Sequence, residues 1–126
     1  MSDATSSGMS RVGWVVTGLV GLFLLVDGGA RLAGVAPYVE AMTKFGYAVS
    51  LAPWIAMALL VSTIAMLIPR TAVLGCILVT GYLGGAADAH VRAQDPWFAF
   101  PIVLGMIAWL GLYLRDARVR ALIPLR

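Results

Sequence analysis

The chain has one cysteine and one histidine in 126 residues, and only 12% of it is charged. The lone thiol, Cys76, excludes an intramolecular disulfide and a CxxC redox pair. The lone imidazole, His90, excludes a bis-histidine haem or a three-histidine metal site built from one chain. A glycine-rich phosphate loop, a GxSxG elbow and a carboxylate–histidine metal signature are also missing, so soluble-enzyme templates do not apply. What replaces charge is hydrocarbon. Hydrophobic residues make up 61% of the sequence and the mean hydropathy is +0.93, far outside the range of soluble domains. The solvent for such a chain is lipid.

A bilayer core about 30 Å thick takes roughly 20 helical residues to cross, so this length allows four spans with short connections and no soluble domain. The expected architecture is an all-α membrane protein, a four-transmembrane-helix bundle. The small, polar opening at residues 1–11 is expected to be disordered because it has nothing to bury. A transmembrane domain follows over 12–115, with spans at about 12–30, 52–68, 71–88 and 97–114, and then a basic cytoplasmic tail at 116–126. The first span, an uncharged run closed by Asp27, Gly28, Gly29, Ala30 and Arg31, has the outline of a signal peptide. Its weakly basic lead and the three spans after it favour a retained helix. Within the longest loop, 32–49, the stretch from Tyr38 to Phe45 is expected to form a short interfacial helix. Pro69 and Arg70 mark a tight hairpin between the second and third spans.

The net charge of +3 does not point to nucleic acid, because the basic residues stand at the ends of apolar runs rather than on one polar face. Arg11, Arg70, Arg115, Arg118, Arg120 and Arg126 fall on one side of the membrane, and Arg31, Lys44 and Arg92 on the other. The positive-inside rule then puts both termini in the cytoplasm of a cell whose inner membrane holds the protein. Trp14, Trp54, Trp97 and Tyr113 lie near span ends, where amphipathic rings prefer the headgroup layer, and Trp109 is read as packing.

Helices in lipid associate through close approach of small residues. Cys76, Thr80, Gly84 and Asp88 recur at four-residue intervals on the third span, with Gly81 and Gly85 as a neighbouring GxxxG pair; Gly18, Gly21, Gly28 and Gly29 thin the first. These stripes are expected to pack the first span against the third, with a substrate channel as the alternative. The charges at span ends carry the chemistry. Asp27 is 13 residues beyond Trp14 and Asp88 is 17 beyond Thr71, so both approach one leaflet, each with an arginine one turn on, Arg31 and Arg92. A carboxylate in hydrocarbon costs about 2.5 to 3.5 kcal/mol and persists only if paired, protonated or wet. Asp27 and Asp88 can therefore form an acid and base in one intramembrane pocket, or two interfacial ion pairs that end the helices. His90 stands roughly 160 to 200° around the helix from Asp88, so it need not face the same pocket.

The segments LIPRTAVLG (Leu67 to Gly75), TGYLGGA (Thr80 to Ala86), HVRAQDP (His90 to Pro96) and GLYLRDARVRALIPLR (Gly111 to Arg126) resemble the DoxX-like family of small bacterial membrane proteins. The resemblance runs from about Trp14 to the end and implies a four-helix membrane fold. The family takes its name from relatives associated with a thiosulfate:quinone oxidoreductase, and most members carry no assigned activity. The family pattern has a glutamate in the middle of the second helix, where this chain is uncharged around Leu59, and a serine or small residue near Asp27 and Asp88. The acid has moved.

Two functions are expected to compete. The first is a pocket for a lipophilic small molecule (isoprenoid, sterol-like or quinone), with Asp27 and Asp88 catalysing a cofactor-free isomerisation, cyclisation or epoxide opening. Arg31, His90, Arg92, Thr80, Gly84 and Tyr82 would bind the substrate or tune the pair. The second is a noncatalytic membrane subunit of a quinone-linked redox complex, docking a partner protein through its basic tail. A homo-oligomer, and a quinone or haem as cofactor, remain open; no metal and no nucleic acid is expected.

Overall fold

Each helix in this chain ends where the backbone can no longer donate or turn, and those breaks set the architecture. The computed structural model describes residues 3–122; Arg126, counted in the basic tail, lies outside them. Helix α1 spans Asp3–Ala33, α2 Ala36–Lys44, α3 Ala52–Leu67, α4 Ala72–Arg92, α5 Ala99–Arg115 and α6 Ala117–Leu122. No strand occurs among the described residues. Four segments are long and apolar enough to cross a membrane: Ser7–Ala33, Val49–Leu67, Pro69–Arg92 and Pro96–Arg115. The protein is an all-α four-helix membrane bundle.

The N-terminal segment departs from expectation. Residues 3–11, read from sequence as unstructured, continue α1, because no proline interrupts them and the helix behind them is already nucleated. Beyond Arg115, α6 folds back on α5 and buries Val119, so the basic segment is helical as far as Leu122. The interfacial helix starts at Ala36, two residues earlier than expected, with Pro37 in its first turn.

Three helices finish with the same device. The amide of Val35 donates to Ala30, that of Tyr47 to Met42 and that of Asp95 to His90, each bond closing six residues around a left-handed one. The left-handed positions are Gly34 (φ +79°), Gly46 (φ +84°) and Gln94 (φ +56°). Glycine meets this requirement at no cost in two of them; Gln94 meets it with a side chain. All three turns lie on the face opposite the termini. On the terminal face, Ile68 is extended and Pro69–Thr71 forms a short 3₁₀ turn, with Thr71 Oγ1 donating to the Ala65 carbonyl at 2.7 Å.

The long helices form a ring in which α1 neighbours α3 and α5, and α4 neighbours the same two. The first and third spans therefore face each other across a diagonal and do not pack, which overturns the expected pairing of their small-residue stripes. The glycines that do make close contacts explain the arrangement. A Cβ built on Gly13 would lie 2.8 Å from the Gly111 carbonyl oxygen, and one on Gly75 would lie within 2.5 Å of the α3 backbone at Ala65 and Met66. Gly21 and Gly28 admit Leu67 and Leu60 of α3. By contrast, Gly81, Gly84 and Gly85 of α4 meet nothing within 4 Å. Their face is open rather than packed.

The core holds Val20 and Leu24 of α1, Leu59 and Met66 of α3, Cys76, Val79 and Leu83 of α4, and Ala108 and Leu112 of α5. Outward, Trp54 is 74% exposed, Met106 66% and Leu19 65%, together with many other large apolar side chains. In water such a surface would aggregate; in lipid it is the solvated face. At the terminal end Arg115 ties three helices together. Its Nε donates to Thr17 of α1 and its Nη2 to the Met66 carbonyl of α3, both at 3.1 Å, and its guanidinium lies 4.2 Å from the Trp14 ring centre.

Candidate functional site

The diagonal gap between α1 and α4 is where polar groups collect. Asp27 and Arg31 project from α1 one turn apart, and Arg31 Nη2 reaches both carboxylate oxygens, at 3.2 and 3.4 Å. Arg31 Nη1 donates to the Tyr38 carbonyl of α2 at 3.4 Å, so the same side chain holds the short helix over the gap. Arg31 Nε is buried and has no hydrogen-bond partner. A buried guanidinium N–H without an acceptor is costly, because the desolvation of a charged donor is not recovered.

His90 enters the gap from α4. Its Nδ1 lies 2.6 Å from the Ala86 carbonyl, which can only accept, so Nδ1 carries the hydrogen. In the neutral ring Nε2 is then the nitrogen with the free lone pair. The ring rests on Phe45, with centroids 4.4 Å apart. Asp27, Arg31, Tyr82 and His90 together line a cavity of about 300 Å³, closed by Tyr38 and Phe45 from the α2 side and by Phe100, Pro101 and Leu104 of α5. A second cavity of about 320 Å³ shares Arg31, Tyr82 and His90 and extends past Gly81 and Gly85 toward Tyr47 and Ile55. The open glycines of α4 are the floor of this space.

Asp88 does not take part. It stands on the opposite side of α4, its side chain 69% exposed, paired with Arg92 at 3.1 Å. Arg92 in turn donates to the Tyr47 hydroxyl at 3.3 Å. Asp88 and Arg92 line neither cavity. The reason is angular: residues two apart on a helix point about 200° from each other, and α4 turns His90, not Asp88, toward α1. Thr80 and Gly84 go elsewhere too, into an apolar groove of about 570 Å³ between α4 and α5 with Leu83, Pro101, Gly105 and Met106. There the Trp109 indole N–H donates to Thr80 Oγ1 at 2.7 Å, while Thr80 donates to the Cys76 carbonyl. Trp109, read from sequence as packing, forms part of the groove wall.

Of the expected site, then, Asp27, Arg31, Tyr82 and His90 come together, and Asp88 with Arg92 form a separate surface pair. Phe45 and Tyr38, missed in the sequence reading, cover the cavity; their only signal was membership of a short helix bounded by Pro37 and Gly46. That helix is fastened at its far end by Lys44, whose Nζ lies 2.6 Å from Asp95 Oδ2. Asp95 also accepts from the Trp97 amide at 2.8 Å. The bond to Lys44 and the Trp97 amide hold its carboxyl below the usual aspartate range. Among the described residues no three His, Cys, Asp or Glu side chains gather.

No match is found among curated proteins or solved structures. The model of the DoxX-like family, however, matches residues 15–111, which take in the second and third spans, most of the first and fourth, the helix over the gap and every residue lining the polar cavity. That match covers more than half of the chain, and this chain belongs to the DoxX-like family of membrane proteins.

Proposed function

We propose that the protein sits in the inner membrane with both termini in the cytoplasm and binds a lipophilic small molecule, isoprenoid, sterol-like or quinone, by its polar group. The observation that carries this reading is the cavity itself, where Asp27, Arg31, Tyr82 and His90 meet in one space otherwise walled by aromatic and aliphatic side chains. A ligand carbonyl, hydroxyl or ether oxygen there finds the Arg31 guanidinium, which lines the space, as its donor. His90 Nε2 offers an acceptor of its own across the same cavity, which suits a head group that both accepts and donates. Acid/base work on that group, of the kind an isomerisation, cyclisation or epoxide opening requires, falls in this reading to Asp27 and His90 instead of Asp27 and Asp88. Tyr82 supplies a further hydroxyl. The cytoplasmic assignment of the termini rests on the excess of arginine on their side.

The test is native mass spectrometry with lipid extraction, on protein purified in mild detergent. The wild type and the Asp88→Asn variant retain a discrete lipophilic compound, while Asp27→Asn and His90→Gln retain at least about tenfold less, one lost hydrogen bond to a charged or basic group being enough. Equal retention by all four proteins sinks the cavity reading. Co-purification of a soluble redox protein with no small molecule favours the noncatalytic subunit instead.

A further inference from the structure

The apolar groove and the polar cavity meet at one seam. Leu83 and Pro101 line both, so these two side chains stand between the space beside Asp27 and His90 and the groove of α4 and α5. Within the groove the Thr80 hydroxyl and the Trp109 indole are bonded to each other and Thr80 spends its own hydrogen on the Cys76 carbonyl, which leaves the Tyr113 hydroxyl at its far end as the remaining polar side-chain group. Gly84 is open, with nothing within 4 Å of the Cβ it lacks, and Gly105 meets only Leu83. From Pro101 to Tyr113 the groove follows α5 for 12 residues, roughly 18 Å at 1.5 Å per residue, more than half the hydrocarbon thickness.

Resting on the cavity reading above, the geometry points to an elongated, single-chain amphiphile as the ligand: its polar head lies in the Asp27–Arg31–His90 cavity, and its prenyl or alkyl chain lies along Gly84, Met106 and Trp109. The ligand enters sideways from the bilayer through the α4–α5 gap, without crossing water. A compact polycyclic molecule has no use for the groove. Because lipid tails are as apolar as the groove, the chain gains little free energy by leaving the bilayer, so its place is better read by position than by affinity.

The probes are two 16-carbon primary alcohols in nanodiscs, one with a diazirine at the chain end and one with it beside the hydroxyl. The chain-end probe should label Met106–Tyr113 at least about threefold above the lipid-facing residues of α3, in competition with excess unlabelled alcohol. Gly84→Leu should cut that labelling at least fivefold, while the head probe still labels the Tyr82–His90 segment, which also shows the variant to be folded. Gly84→Ala, too small to fill the groove, should behave as the wild type. Chain-end labelling spread evenly over the four spans, or undiminished by Gly84→Leu, overturns the proposal while leaving the cavity reading intact. Head-probe labelling indifferent to Asp27→Asn strikes instead at the cavity reading.

Discussion

A single methyl group tells the glycines of this bundle apart. At Gly75 it would collide with the backbone of α3, which cannot move aside, whereas at Gly81 or Gly85 it would meet empty space. Gly75→Ala is therefore expected to destabilise the protein by at least about 1 to 3 kcal/mol, the cost of overpacking. Gly81→Ala should hold stability level or raise it by up to about 1 kcal/mol through lower backbone entropy. Thermal unfolding in detergent compares the two; equal losses would mean that α3 does not approach α4 at Gly75. At this scale the sequence was half legible. Asp27 and Arg31 stood out because charge in an apolar run demands a partner, and the partner is one turn away. The glycine stripes did not reveal their use, since the same spacing admits a neighbouring helix or leaves a cavity. His90 was opaque for a related reason. Periodicity separated it from Asp88, but only the identity of the neighbouring helix decides which face is inside.

At the scale of elements, α2 works as a strap across the polar cavity, fastened by Arg31 at one end and by Lys44 at the other. The Asp95 carboxyl titrates below its ordinary value of about 3.9, so the unfolded chain takes up the proton more readily than the folded one. The stabilisation from the Lys44 contact is thus complete above that value and is lost as pH falls through the lowered folded value. The melting temperature should drop further between about pH 5 and pH 3 in the wild type than in Asp95→Asn, where the Trp97 amide keeps its acceptor but the charge is gone. Matching profiles would show that another carboxylate governs the acid limb. The helix itself was legible from Pro37 and Gly46. Its fastening was not, because Lys44 and Asp95 are 51 residues apart and no local pattern joins them. Gln94 is the same kind of surprise: at the two other left-handed turns glycine announces the break, and here only the hydrogen bond from Asp95 to His90 does.

For the whole molecule, the number of spans was readable because hydrocarbon thickness dictates run length. The order around the ring was not, since every long helix is apolar on most of its surface and hydropathy does not choose neighbours. Which leaflet faces the cytoplasm is open to direct measurement. Cys76 is buried, so a cysteine introduced elsewhere reports without background. Ser7→Cys should react with an impermeant maleimide only in inverted membrane vesicles, and Ser50→Cys only in right-side-out cells or spheroplasts. The reverse pattern would turn the bundle over and place the strap inside the cell.

The seam between α1 and α5, where Gly13 meets Gly111 and Arg115 reaches Thr17, joins the first of the four spans to the fourth. A ribosome delivers α3 and α4 as a ready hairpin that α1 meets through α3, but the other neighbour of α1, α5, follows only after both of them. The Asp27–Arg31 pair makes the wait tolerable. Both charges belong to one helix, so the segment neutralises itself on insertion and can stay in lipid until α3 and then α5 close the ring beside it.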